Sequence, residues 1–362
     1  MFGIPVHVNA SMLLLAALVT VLYGEFVRRR LELPAPVGYA VGLGFVVCLL
    51  GSVFLHELGH ALTARRYGIG VRGITLELLG GYTELDRDAP RPAVDLLVAL
   101  AGPAVSLLLA GGAVLATMVL PAGGLPYELA VQLALSNLVV AVFNALPGLP
   151  LDGGRALRAV VWAASRDRHL GTEVAGWAGR VIALGTVSVV VLLAWRQLLA
   201  PLGVAVTLLV AATLWQGAGQ SIRMARISRR FPLVDLSRLA RPVFPVPSGT
   251  PLAEGERRAA DAGRPVTLGV ADSAGQLVAV VDRLAAAAVP AERRPWVSVD
   301  SLAQRLAGVP RLAVEMDGER VVRAVQTHPG AQYLVTSGED VVGVLHIADL
   351  AQLLEPKRKM NL

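Results

Sequence analysis

The chain has 362 residues, 54% of them hydrophobic and 17% charged, with a mean hydropathy of +0.59. That balance is too apolar for an ordinary water-soluble enzyme and fits an integral membrane protein. The net charge of +6 is mild and no basic stretch is interleaved with aromatics, which excludes nucleic acid as the expected partner. The single cysteine, Cys48, allows neither an internal disulfide nor a thiolate metal cluster, and its apolar neighbours predict a buried, inert side chain.

Apolar runs near 9–27, 37–61, 92–120, 127–147, 174–199 and 201–222 are each long enough to cross about 30 Å of hydrocarbon, which takes about 20 residues. The first run carries its positive charges after the apolar stretch and has no small-residue cleavage site, so it is expected to be a retained span. Arginines concentrate in the connections after spans two, four and six, thirteen against four on the other side. A multi-pass protein of the cell membrane with both termini cytoplasmic is expected, with Arg28–Arg30 as an exception to the charge rule. Between spans two and three, GIGVRGITLELLGGYTEL alternates and is punctuated by glycine, which predicts a hairpin near the membrane surface.

At the end of span two stands FLHELGHAL, residues 54–62. On a helix His56 and His60 lie one turn apart on one face, where both imidazoles reach one metal ion, and Glu57 projects beside them. Zinc held by three protein ligands keeps a fourth position for water, lowers that water's pKa to about 7 and polarises a carbonyl, so the pattern points to peptide-bond hydrolysis. Ionisable groups inside a membrane span are costly, which favours function over satisfied core histidines. A third ligand is needed from another span. NALPGLPLDGGR offers Asp152 at the end of span four, followed by Gly153 and Gly154; alone, DGG reads more often as a turn, but beside an intramembrane HExxH the ligand reading is preferred.

With these two motifs the chain resembles the site-2 proteases, the family of intramembrane zinc metalloproteases. Their HExxH stands here as His56 to His60, and their NxxPxxPLDGG-type motif as Asn144 through Pro147 and Pro150 to Gly154. The resemblance implies zinc, one per chain, on His56, His60 and Asp152, Glu57 as general base and acid, and Asn144 as a substrate-positioning residue, although Asn144 also reads as a polar helix cap. FGIPVHV, LLGGY and LAGPAVSLLLA are similar to segments of the bacterial members. The family's membrane-associated strands imply that Gly80 and Gly81 belong to an edge to which an unwound substrate adds; a simple Gly-Gly turn is the alternative. The implied substrates are membrane-embedded proteins, namely anti-sigma factors, tethered transcription factors or signal-peptide remnants, cut in regulated intramembrane proteolysis.

The expected fold class is therefore an α-helical polytopic membrane protein of about six transmembrane helices with a small membrane-associated β element, residues 1–232, plus a cytosolic C-terminal α/β domain, residues 233–362. VTLGVAD, LVAVVD, RLAVEM and QYLVTS read as strands there. The tail resembles a tandem pair of CBS modules, which implies an adenine nucleotide as a regulatory ligand and a dimer through the modules as one oligomeric option. Asp349 stands where such modules carry the acid that grips ribose, but His346 takes the place of the preceding Ser or Thr and Asp282 is followed by alanines, so a structural or substrate-docking role stays open. Arg223–Arg230 reads as a topology anchor with some attraction to anionic lipid, and EPKRKMNL as a disordered tail. A CBS-regulated carrier and an inactive scaffold are the rival classes; the first predicts polar groups spread over several spans, the second the loss of Glu57 or a ligand. Cobalt or iron would also suit the donors.

Overall fold

The computed structural model describes residues 3–77 and 80–354, which leaves Phe2 of FGIPVHV, Leu78 and Leu79 of LLGGY and the EPKRKMNL tail outside the described residues. The chain divides into two compact units, Met1–Ala225 and Arg226–Leu362, and the expected boundary at 232/233 falls just inside the second.

The first unit runs β1 (Val6–Val8), α1 (Ala10–Arg30), α2 (Ala35–Arg66), β2 (Val71–Glu77), β3 (Gly80–Leu85), α3 (Pro92–Val119), α4 (Leu125–Asn144), α5 (Asp152–Ser165), α6 (Arg168–Trp195) and α7 (Pro201–Ser228). Helix starts follow local chemistry. Asn9 accepts from the Ser11 amide at α1, Asp167 accepts from the His169 and Leu170 amides at α6, and proline opens α2, α3 and α4, where a missing N–H costs nothing. All of these helices except α5 are long and apolar enough to cross a membrane, giving six spans. Only 17–44% of the most apolar window of each is buried within the protein, so lipid must cover the remainder. Cys48 corrects its expectation on this ground: it is exposed on α2, because lipid offers the apolar surroundings that a core would otherwise supply. Arg28 and Arg29 pair with Glu25, and Arg30 with Glu128.

α3 is the most buried span and packs against α2, α4 and α5. α5, a 14-residue helix, lies in what the sequence suggests is a loop. It is tied to α3 by Arg158, which donates to both carboxylate oxygens of Asp95 at 2.9 and 2.6 Å, with Asp95 buried and Arg155 at 3.6 Å. Removing one partner of a buried pair costs about 3–5 kcal/mol because the other charge is left without compensation. A further intramembrane charge, Arg180 of α6, lies between the rings of Trp177 and Trp215 at 4.8 and 4.9 Å, a geometry that lowers the cost of burying it.

The expected hairpin is β2 and β3, paired antiparallel, and β1 adds parallel to β2. The order β1-β2-β3 leaves β3 at one edge. Met12, Leu58, Ala61, Ile74 and Leu76 fix this sheet to α1 and α2.

The second unit contains α8 (Leu236–Leu239), β4 (Val243–Pro247), α9 (Leu252–Ala260), β5 (Thr267–Ala271), β6 (Leu277–Val281), α10 (Arg283–Ala288), β7 (Ala303–Arg305), β8 (Arg311–Ala313), α11 (Gly318–Thr327), β9 (Gln332–Ser337), β10 (Asp340–His346) and α12 (Ile347–Leu354). Its two sheets have the orders β4-β5-β6-β7 and β10-β9-β8. One pattern occurs twice: a strand, a helix, a second strand parallel to the first, an antiparallel partner and a closing helix, in β4-α9-β5-β6-α10 and β8-α11-β9-β10-α12. Val280, Val309, Leu334 and Val344 bury the space shared by the two halves.

Candidate metal centre and active site

α2 brings His56, Glu57 and His60 to one buried face, each at most 5% exposed. α5 begins at Asp152, and its carboxylate completes the group: one ligand atom from each of His56, His60 and Asp152 lies within 4.8 Å of the others. Asp152 Oδ2 is 3.0 Å from His56 Nε2 and 3.1 Å from His60 Nε2, and the two Nε2 atoms are 3.3 Å apart. Gly153 and Gly154 allow this start. A Cβ at Gly153 would lie 2.2 Å from the Ala145 carbonyl oxygen, and one at Gly154 2.2 Å from the Leu149 nitrogen, so the helix can fold back tightly on the loop before it.

The donor chemistry tests whether a metal fits. His60 Nδ1 lies 2.6 Å from the Val98 carbonyl oxygen, which only accepts, so Nδ1 carries the ring proton and Nε2 of the neutral imidazole presents a lone pair. That lone pair faces a carboxylate oxygen and a second imidazole in a buried setting, an arrangement of acceptor against acceptor that a cation at the common focus would resolve. Separations of 3.0–3.3 Å are those expected between ligands of a tetrahedral ion with bonds of about 2.0–2.1 Å, and an N2O set leaving one position open suits zinc. His56 Nδ1 lies 2.9 Å from Ser106 Oγ. Both rings are thus oriented from α3, as metal-binding imidazoles require.

Glu57 is held by β3. Thr83 Oγ1 donates to Glu57 Oε2 at 2.8 Å, and Gly81 passes so near that a Cβ there would lie 2.8 Å from Glu57 Cγ. Gly80 has φ +141°, a backbone state that favours glycine. His56, Glu57, Gly81, Thr83, Asn144 and Asp152 line one cavity of about 370 Å³, and a second cavity of about 700 Å³ adjoins it through Gly80, Gly81, Asn144 and Leu151, with α7 residues such as Thr213 on its far side. The side chain of Asn144, the last residue of α4, makes no hydrogen bond to another described residue. All of the residues singled out in the first unit therefore meet in one place.

Asp349 lies elsewhere, in the second unit, where it accepts two hydrogen bonds from Arg241 at 2.7 and 2.8 Å. That pair holds its carboxyl below the usual range.

Sequence reasoning missed Ser106, Thr83 and Gly102. A Cβ at Gly102 would lie 2.3 Å from His60 Nε2 and 2.5 Å from His56 Nε2, so α3 reaches the two imidazoles only because this residue has no side chain. The signal available was Gly102-Pro103 inside an apolar run, since glycine in such a helix marks a close approach.

The model of peptidase family M50 matches residues 44–128 and 122–189, segments that contain His56, Glu57, His60, Asn144 and Asp152. A Synechocystis protein that carries the name of a zinc metalloprotease is 32% identical over 98% of this chain and 94% of its own length. Among solved structures, the site-2 protease from Methanocaldococcus jannaschii is 26% identical and matches 61% of this chain and 92% of its own, with a TM-score of 0.45. A CBS-domain protein from Agrobacterium tumefaciens matches 33% of this chain and 88% of its own at 16% identity and a TM-score of 0.26.

Proposed function

This chain belongs to peptidase family M50, the zinc-dependent intramembrane proteases of the site-2 type, and from that membership we propose that His56, His60 and Asp152 hold its zinc while Glu57 moves the proton of the hydrolytic reaction. The observation that carries the assignment is the convergence of two buried imidazoles, oriented through their far nitrogens, with the partly buried Asp152 carboxylate, beside a buried glutamate. Zinc, when bound, supplies a Lewis acid that acidifies water and polarises the scissile carbonyl.

The remaining work falls to the protein. Thr83 occupies Glu57 Oε2 and leaves Oε1 to take a proton from the attacking water. As the water oxygen bonds to the carbonyl carbon and the C–N bond breaks, Glu57 returns that proton to the departing amine nitrogen. A peptide bond inside a helix is hydrogen-bonded and shielded, so the substrate must be unwound first. The outer edge of β3 at Gly80 and Gly81 offers main-chain partners for such an extended segment, and the amide of Asn144, which lines the same cavity, offers a further contact.

The substrate class proposed is a membrane-tethered regulatory protein or signal-peptide remnant, cut in or next to its transmembrane segment. The arginine distribution supports an orientation with both termini in the cytoplasm of a cell-membrane protein. The repeated strand and helix pattern of the second unit supports its reading as a CBS pair that modulates cleavage. Because the Asp349 carboxylate is bound to Arg241, adenine nucleotide held through that residue is the weaker reading of its ligand.

The test is cleavage by the purified chain in liposomes of a panel of tethered anti-sigma-factor, transcription-factor and signal-peptide segments, with the products sequenced by mass spectrometry. A cut within or beside the membrane segment is expected; cleavage only in soluble loops would reject the intramembrane assignment.

A further inference from the structure

Arg180 of α6 stands three residues after Trp177, and its guanidinium lies 4.8 Å from the ring of Trp177 and 4.9 Å from that of Trp215 on α7. The stretch 181–195 that follows carries no charged residue, and Arg196 closes it, 5.7 Å from the ring of Trp195. The two arginines are thus about 24 Å apart along the helix axis at 1.5 Å per residue, close to the thickness of the hydrocarbon layer. Tryptophan gathers where that layer meets water. Arg180 therefore marks one membrane interface and Arg196 the other, and Arg180 is on the side toward which α7 continues to Arg223.

A cation at that depth needs an anion, and the protein supplies none. The Nε of Arg180 is buried with no hydrogen-bond partner among the described residues, and no described carboxylate pairs with the guanidinium. The two indole rings meet part of the requirement by facing the cation. On α7 a Cβ at Gly219 would lie 3.2 Å from Nη2, so this residue leaves the guanidinium uncovered. Val181, Leu184 and Val191 continue from Trp177 at helical spacing, all exposed, as an apolar face that runs from Arg180 into the membrane.

We infer that Arg180, between Trp177 and Trp215, binds the phosphate of an anionic phospholipid whose acyl chains lie along this face of α6. A guanidinium fork matches phosphate oxygens in pairs, and a lipid of net negative charge is preferred to a zwitterionic one, whose own ammonium offsets its phosphate. The site adjoins the loop that leads to Asp152. The Leu149 amide donates to the Ala175 carbonyl at 2.9 Å, a Cβ at Gly179 would run into the Leu149 carbonyl, and one at Gly217 would lie 2.8 Å from Pro150 Cγ. The lipid thus joins the two helices that hold this loop and, on the reading of Asp152 as a zinc ligand, steadies its carboxylate.

The experiment places the full-length chain in vesicles of equal parts phosphatidylcholine and phosphatidylglycerol, extracts it in mild detergent and counts the retained lipids by native mass spectrometry, with no substrate present. Wild type should retain phosphatidylglycerol about tenfold over phosphatidylcholine and Arg180→Gln should retain the two alike, as expected when charge-assisted hydrogen bonds are lost. Arg180→Lys, which keeps the charge without the planar fork, should fall between them. Arg223→Gln should match wild type, which separates this site from a general attraction of the α7 arginines to anionic lipid. Trp177→Leu alters an exposed side chain and should lower the ratio about threefold, so the inference can be refuted even where Arg180→Gln does not fold. Excess inorganic phosphate, which has no acyl chains, should leave the lipid in place. An unchanged ratio in Arg180→Gln, or in Trp177→Leu where that variant alone folds, would overturn the inference. So would a preference lost only in Arg223→Gln, and displacement by inorganic phosphate would make this a site for a free anion. Cleavage of one tethered substrate in phosphatidylcholine vesicles should rise about fivefold when phosphatidylglycerol is added to wild type and stay level in Arg180→Gln; the same response in both would refute the link to Asp152. Retention is read without substrate, so failure of the protease assignment leaves it interpretable.

Discussion

The two units each hold a polar cluster with an unbalanced set of partners, and the imbalance has opposite sign. In the first, two imidazole nitrogens and a carboxylate oxygen converge as acceptors; in the second, three guanidiniums converge as donors on one cavity. Each imbalance sets the sign of the charge that would complement it, positive in the first unit and negative in the second. The settings differ as well. The two imidazoles are buried and oriented by further contacts from α3, which suits a permanently held ion, whereas Arg264 and Arg283 are exposed, which suits a partner that comes and goes.

The comparison breaks most visibly if the acceptors do not need their cation. Asp152→Ala and His60→Ala should each reduce bound zinc from about one per chain to near zero by elemental analysis, and cleavage should fall by about a thousandfold or more. Treatment with a chelator should reproduce the loss in wild type, and added zinc should reverse it. Gly102→Ala comes next. A methyl group 2.3 Å from His60 Nε2 must displace an imidazole or shift α3, and both zinc content and cleavage should fall, the latter by about a hundredfold, since misplacement of the order of 1 Å costs that much. Thr83→Val separates holding the metal from aiming the base: zinc should stay bound, kcat should fall about tenfold and KM should change little, as for loss of an interaction that serves the transition state.

How far the sequence carries such detail differs between the two units. His56, Glu57 and His60 are legible because helical periodicity alone puts them on one face, and the apolar runs reveal the six spans because lipid demands length and composition that little else does. Asp152 is legible through its motif, but its place at the start of α5 is not: DGGRALRAVVWAAS mixes charged, small and apolar residues too briefly to separate a helix from a loop. Thr83 reaches Glu57 across 26 residues of sequence and Gly102 meets both histidines across a helix interface, contacts that no local pattern encodes. In the second unit the strands could be read from alternation, whereas the pairing of Arg241 with Asp349 spans 108 residues and no local pattern announces it.

The smallest effect sharpens the contrast from the side of the second unit. The Ser298 hydroxyl, the Gly249 amide and the Ser248 hydroxyl hold the Asp300 carboxyl down to about 2 from an ordinary 3.8. A carboxyl depressed in the folded state contributes stability that is complete above its unfolded value and is lost as the pH falls through its folded one. Asp300→Ala should therefore unfold at a lower temperature than wild type at pH 6, and the gap should close between about pH 4 and pH 2. Because this carboxyl is largely exposed, solvent keeps the effect modest.

The central claim is that a metal held by His56, His60 and Asp152 works with Glu57 as the proton carrier, and the most direct test compares wild type with Glu57→Gln for both bound zinc and cleavage of one membrane-tethered substrate. The account predicts equal zinc in the two proteins and a loss of cleavage of about a hundredfold to ten-thousandfold in the variant, the range of general acid–base catalysis. Undiminished cleavage by Glu57→Gln with its zinc intact would contradict it.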